Sequence, residues 1–315
     1  MTTSATLQQR DKQDKLIVAV SSRALFDLEK EHGLFETKGV SAYRKFQIAH
    51  MNEPLKPGVA FPFISRLLKL NEIFPDKSPV RVVVLSRNSP ETGQRFFNSC
   101  RYYKLPITTG AFTSGQSTFP FLQAFNACLF LSANRQSVIQ ANACGLPAGL
   151  VLPSNFKDTE HDVGLRIAFD FDGVIADDEA ERKFQTEGIQ AFQRQETDKR
   201  LQPLKAGPLQ TLFSKLSEIQ KLDAEKGKND PYYLPALRIA IVTSRGAPSE
   251  QRLITTLKSF GMYAAELFLM DGLPKDKVLE VLKPHIFFDD QLRHLTSESV
   301  PSVLVPFGIN SVTFD

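Results

Sequence analysis

An α/β fold made of two similar halves is predicted by three observations. Short apolar runs end in acidic or hydroxyl residues, amphipathic stretches separate those runs, and three runs of the first half recur in order in the second. Leu165 to Phe169 reads as a buried strand that Gly173 ends sharply, leaving Asp170 and Asp172 just past it. Carboxylates there sit where an open α/β sheet binds ligands. Arg238 to Thr243 is a second such strand, followed by Ser244 and Arg245, and Lys283 to Asp290 holds a third that ends in Asp289 and Asp290. Between the last two, Lys275 precedes a predicted helix over 276–282.

The first half carries the same punctuation. Ile17 to Arg23 parallels Arg166 to Asp172, and Ala127 to Ala133 parallels His285 to Asp290. Arg81 to Pro90 parallels Ile239 to Pro248, with a shared Ser-Arg-x-x-Pro string that sets Ser86 against Ser244. The chain therefore reads as a diverged internal duplication. Ser21, Arg23, Ser132 and Ala133 replace the acids, so the first copy is expected to be catalytically silent, packing against or shaping a pocket.

The organisation follows: a disordered polar tail over 1–14, a silent domain over 15–153, a polar linker over 154–162, and a catalytic domain over 163–315. Helices are predicted over 179–196 and 209–222, inside a charged insertion over about 177–235. Another helix is expected to begin near Pro248.

Composition bounds the function. With 315 residues and 42% hydrophobic content, the chain can bury one large or two medium cores. A net charge of +3 without a basic run gives no sign of a nucleic-acid partner. No apolar stretch reaches membrane-span length, and the start lacks the apolar core of a signal peptide. Three cysteines without ligand spacing fit a reducing cytoplasm, and Cys128 and Cys144 read as core packing. None of the five histidines is expected to be a ligand.

The chain order strand–Asp-x-Asp, strand–Thr/Ser, Lys, strand–Asp-Asp resembles the haloacid-dehalogenase-like phosphohydrolase superfamily. The two halves are accordingly expected to be Rossmann-like units of that type, with the 177–235 insertion as a helical cap that excludes water. Phosphoryl transfer to a carboxylate needs an in-line nucleophile and positive charge around the equatorial oxygens. Asp170 is the candidate nucleophile and Asp172 the candidate acid and base; Thr243 would hydrogen-bond the phosphoryl group and Lys275 neutralise it. An all-oxygen site suits Mg²⁺. The resemblance implies that Asp170 and Asp290 supply side-chain oxygens and Asp172 a backbone carbonyl. Asp289 could hold Lys275 or a metal-bound water.

Substrate contacts are expected from Ser244 and Arg245, with helix capping and structural pairing as their alternatives. Lys183 and Phe184 could line a cap or simply form a solvated face. The Thr113-Ser114-Gly115 loop could reach a substrate if the halves face each other.

A narrower resemblance rests on Val20 to Glu29, Tyr43 to Gln47, Pro54 to Phe63, Leu85 to Pro90, Ala111 to Gly115, Leu131 to Asn134, Asp177 to Glu181 and Phe287 to Gln291. Across about 15–308 the chain is similar to the cytosolic 5'-nucleotidase class I family. Phe171 departs from members with a small residue there, but is ordinary in the superfamily. The family implies Mg²⁺-dependent hydrolysis of nucleoside 5'-monophosphates, often AMP, in the cytoplasm, and makes a homo-oligomer reasonable. A general phosphomonoester phosphatase and a non-catalytic nucleotide-binding protein are the alternatives.

Overall fold

The computed structural model describes residues 15–159 and 164–310. It divides into two compact units between Val151 and Leu152. The tail over 1–14 lies outside the described residues.

The first unit holds a parallel five-stranded sheet. Its strands are β1 (Leu16–Val20), β2 (Val80–Ser86), β3 (Thr109–Phe112), β4 (Leu129–Ser132) and β5 (Ala148–Val151). They lie in the order β5-β4-β1-β2-β3. β1 is buried along its whole length, as a parallel strand covered on both faces must be, which is why it reads as unbroken apolar sequence. Ile17, Ala19, Val83, Leu85 and Phe130 form part of the core cluster on one face. The crossover from β1 to β2 carries the helices α1 (Glu29–Ala49) and α2 (Phe61–Ile73). Helices α3 (Pro90–Tyr102) and α4 (Arg135–Ala143) follow β2 and β4, each capped by the residue before it: Ser89 accepts from the Thr92 amide and Asn134 from the Ser137 amide.

The second unit repeats the plan. Its strands are β6 (Leu165–Phe169), β7 (Leu237–Thr243), β8 (Glu266–Leu269), β9 (Ile286–Asp289) and β10 (Ser302–Leu304), in the parallel order β10-β9-β6-β7-β8. Helices α5 (Glu179–Asp198) and α6 (Gln210–Gly227) lie between β6 and β7, α7 (Glu250–Ser259) follows β7, and α8 (Asp276–Leu282) follows β8. Phe169 stacks on Phe288 at 5.1 Å between ring centroids and meets Phe213 edge-on at 5.1 Å, tying the two central strands to α6.

The registers coincide as well. Leu16 pairs with Val80 as Leu165 pairs with Leu237, and Val18 faces Leu129 as Ile167 faces Ile286. Carried to the strand ends, this sets Ser21 against Asp170, Arg23 against Asp172, Ser132 against Asp289 and Ala133 against Asp290. It sets Ser86 against Thr243, one residue away from the alignment that the Ser-Arg-x-x-Pro string suggests. The correspondence extends to the helices. α1 breaks at Gly39 and α5 at Gly188, each with φ near +80° and extended ψ, a conformation that glycine adopts without strain. Helices expected as an insertion in the second half alone therefore have counterparts in the first.

One further expectation is corrected. Cys144 is exposed, because it follows α4 at a turn continued by Gly145; Cys128 is buried as expected. Within the segment read as a polar linker, Ser154 Oγ and the Asn155 amide both donate to the Glu298 carbonyl, at 2.8 and 2.7 Å. Its residues 160–162 lie outside the described residues.

Candidate active site

The site lies at the carboxyl ends of β6, β7 and β9. Asp170 is the first residue past β6, and its amide donates to the Phe288 carbonyl at 2.7 Å, extending the ladder one step beyond the strand. Its Oδ1 accepts from the Phe171 amide at 2.7 Å. The chain then folds back, with the Ile175 and Ala176 amides donating to the Phe171 carbonyl. Gly173 makes that turn at φ +71°, where an added Cβ would stand 2.2 Å from Asp290 Oδ2. Glycine is required there for conformation and for space.

Lys275 is buried at the start of α8 and places its Nζ 2.8 Å from Asp170 Oδ2 and 2.7 Å from Asp289 Oδ2. Desolvation works against its charge, but the two carboxylates outweigh it and hold the ammonium above its ordinary pKa. Asp289 is also desolvated, yet Lys275 and His294 keep its carboxyl below the usual range. Asp289 Oδ1 further accepts from the Gln291 amide at 2.8 Å. Asp170 goes the other way: burial, despite Lys275, pushes it up to about 7. Asp290 is pushed up to about 9, by burial first and by Asp170 and Asp289 next. Its Oδ2 accepts from Asn310 Nδ2 at 3.0 Å, while its buried Oδ1 has no hydrogen-bond partner among the described residues.

Two cation positions compete on this geometry. Ligand atoms of Asp170, Asp289 and His294 lie within 4.8 Å of one another, with His294 Nδ1 3.1 Å from Asp289 Oδ2. The Lys275 ammonium already bridges the two carboxylates of that group. On the Asp290 side, a buried carboxylate oxygen without a hydrogen-bond partner among the described residues faces like charge from Asp170 and Asp289, which Lys275 only partly offsets. Donors made only of oxygen fit a hard divalent ion such as Mg²⁺, so Asp170 and Asp290 are the better-suited pair. A buried Asp/Asp/His cluster able to hold a divalent metal is in either case part of the site. His294 is a participant that sequence reading set aside; no local spacing marks it, because it meets Asp289 only through the short 3₁₀ turn over Leu292–His294.

Asp172 is bound differently. Arg245 Nε and Nη2 donate to its two carboxylate oxygens at 2.7 Å each, a bidentate pair. Arg245 Nη1 also donates to Glu196, which accepts in turn from Arg252 Nη1 at 2.7 Å. Arg252 continues to Glu179, which Lys199 joins at 2.7 Å. Glu196 and Arg252 were not singled out by sequence, and both are fully buried. The signal that could have found them is internal: Arg95 on α3 donates to Glu31 and Gln47 on α1 just as Arg252 on α7 donates to Glu179 and Glu196 on α5.

The remaining candidates are scattered. Thr243 is buried at the end of β7 and its Oγ1 accepts from the Arg245 amide at 3.3 Å, while Ser244 is exposed. On α5, Lys183 pairs with Glu187 and Phe184 meets Phe192 edge-on at 6.3 Å. Thr113 belongs to the first unit, where its Oγ1 donates to the Gln116 carbonyl at 2.6 Å; Ser114 and Gly115 line a cavity of that unit.

Strand-end aspartates on a parallel α/β sheet, one bridged by a buried lysine, define a haloacid-dehalogenase-like phosphohydrolase site. Comparison with known proteins narrows this. The 5'-nucleotidase family pattern matches residues 8–312, and the chain belongs to that family. One relative, cytosolic 5'-nucleotidase 1B of Homo sapiens, is 30% identical over 302 residues, which cover 94% of this chain and 49% of the relative. The chain thus spans about half the length of that relative. No solved structure matches it. Among the described residues, no helix is long and apolar enough to cross a membrane.

Proposed function

We propose that the second unit is a Mg²⁺-dependent 5'-nucleotidase that hydrolyses nucleoside 5'-monophosphates to nucleoside and phosphate. The observation that carries this reading is Lys275, which is buried and bridges Asp170 and Asp289 at 2.8 and 2.7 Å. A lysine so placed keeps a nucleophilic carboxylate beside positive charge where a phosphoryl group arrives.

In this reading an Asp170 oxygen attacks phosphorus and the bond from phosphorus to the 5' oxygen breaks. The leaving oxygen takes a proton from Asp172. Water then gives a proton to Asp172 and attacks the aspartyl-phosphate, releasing phosphate and restoring Asp170. Thr243 donates to a phosphoryl oxygen and Lys275 offsets its charge. Mg²⁺, when bound, would be held by Asp170, Asp290 and the Asp172 carbonyl, with Asp289 beyond, and would neutralise charge between carboxylate and phosphate. Asp172 serves its proton role only when the Arg245 fork opens, so Arg245 acts here as a positioning residue.

Ser244, Lys183 and Phe184 are assigned to the substrate side, with α5 and α6 as the cap. The Thr113-Ser114-Gly115 loop is assigned to the first unit's own ligand face. The shared strand order, register and glycine breaks support descent of the two units from one duplicated ancestor. AMP preference and a cytoplasmic setting follow from the class I resemblance and from the relative's description as cytosolic.

Phosphate release from AMP, IMP, GMP, CMP, UMP and glucose 6-phosphate, with Mg²⁺ and with EDTA, tests the reading. Metal-dependent release from the nucleotides alone is expected. Equal turnover of glucose 6-phosphate would make the protein a general phosphatase, and no release would make it a non-catalytic binding protein.

A further inference from the structure

The first unit contains a cavity of about 650 Å³ at the carboxyl ends of β1, β2 and β4. That is the position which the second unit gives to its aspartates. Ser21, Arg23, Ser86 and Ser132, all in the cavity wall, correspond by register to Asp170, Asp172, Thr243 and Asp289. Thr118, also in the wall, lies six residues past the end of β3, as Lys275 lies six past the end of β8. Two of the acids and the lysine have thus given way to hydroxyls, Asp172 to Arg23 and Asp290 to Ala133, yet the space has not been filled.

The electrostatics are reversed as a result. Arg23, Arg44 and Arg87 line the cavity against a single carboxylate, Glu91, which Arg44 already holds at 2.6 Å. Arg23 gives one Nη to Glu29 at 2.8 Å, but its buried Nε–H has no acceptor among the described residues. An unmet guanidinium donor in a cavity lined by hydroxyls is an anion site in want of an anion. A site with this charge takes a phosphate directly, without the cation that the aspartate cluster needs. The opposite wall comes from α1 and is aromatic: Phe35 and Tyr43 meet edge-on at 6.1 Å, and the Tyr43 hydroxyl donates to Asn88 at 3.1 Å. Such a wall accepts a planar ring.

We infer that the first unit binds, without metal and without hydrolysis, a phosphorylated small molecule that carries a planar ring. Arg23 and the strand-end hydroxyls hold the phosphate, and the α1 aromatics hold the ring. Hydrolysis is absent because no carboxylate stands at the end of β1 to attack. The inference is independent of turnover in the second unit.

The test is calorimetric titration of the full chain in EDTA with AMP, inorganic phosphate and adenosine. AMP should bind, more tightly than either fragment. Arg23→Gln should weaken AMP at least tenfold, while Thr243→Val, which alters the other unit's phosphate candidate, should leave it unchanged. Ser132→Asp gives a second variant: the Ser132 Oγ accepts from the Asn134 amide at 3.0 Å just as Asp289 accepts from Gln291, so the turn is kept while an anion is repelled. It too should weaken AMP at least tenfold, with far-UV circular dichroism unchanged. No binding in EDTA, binding that follows Thr243→Val instead of Arg23→Gln, or phosphate binding as tightly as AMP would overturn the inference.

Discussion

Arg245 and Asp172 form a two-pronged ion pair, with both N–O distances at 2.7 Å. Because Arg245 also holds Glu196, the candidate acid–base of the site is wired to α5, and through Arg252 to α7. Removing one member strands buried charge on the others. Arg245→Met leaves Asp172 unpaired and Glu196 with Arg252 alone, so it should lower unfolding stability by about 3–5 kcal/mol. Urea denaturation of the two proteins measures this. A change below about 1 kcal/mol, the size of an exposed pair, would show that the network contributes little.

Asp290 gives a pH signature. Its carboxyl, pushed up to about 9 in the folded protein by burial and then by Asp170 and Asp289, titrates near 4 when unfolded. The folded protein therefore binds a proton that the unfolded chain releases. That contribution is complete below about pH 4 and is lost as pH rises through about 9. A divalent ion on Asp290 replaces the proton, so Mg²⁺ should raise Tm more at about pH 9 than at about pH 5.5. Asp290→Asn should abolish the difference. Equal Mg²⁺ shifts at both pH values in the unmodified protein would place the ion elsewhere.

Gly173 keeps Asp290 in the site. An alanine there meets Asp290 Oδ2 at 2.2 Å and must also hold φ +71°. The side chain that yields is Asp290, and a displacement of this size costs about 100-fold in rate. Gly173→Ala should lose phosphate release to that extent while remaining folded by circular dichroism.

Thiol reactivity separates the cysteines. Burial pushes the Cys100 thiol up to about 12, which leaves almost no thiolate near neutral pH, and Cys128 is buried with its Sγ 3.3 Å from the Ile17 carbonyl. Cys144 is exposed. A chromogenic thiol reagent should modify one cysteine rapidly in the native protein, identified by mass spectrometry as Cys144, and the other two only after denaturation.

Strands β3, β5, β8 and β10 were not read from the sequence. Strands β1, β2, β4, β6, β7 and β9, with Asp170, Asp172, Thr243, Asp289 and Asp290 at or just past their ends, were legible as boundaries between an apolar run and a turn, and Lys275 as the residue between a Gly-Leu-Pro turn and a helical pattern. Such boundaries are local, so reading along the chain finds them. The helix over 276–282 was legible for the same reason. Glu196, Arg252 and His294 were not, since each acquires its meaning from a partner on another element. The Ser-Arg-x-x-Pro string misled by one residue because its proline lies four residues past the strand end in the first unit, Ser86 to Pro90, and five in the second, Thr243 to Pro248; only the ladder fixes Ser86 opposite Thr243. The glycine breaks at 39 and 188 lay within helical patterns, where one glycine is tolerated and draws no notice.

In the proposed reaction Asp170 carries the phosphoryl group. Rapid acid quench of the Mg²⁺-loaded protein turning over AMP labelled with ³²P tests it most directly. The expected result is protein-bound label that hydroxylamine releases, that maps to Asp170, that accumulates in Asp172→Ala and that is missing from Asp170→Asn. Phosphate release from Asp170→Asn at the unmodified rate, with no label on either protein, would contradict the account.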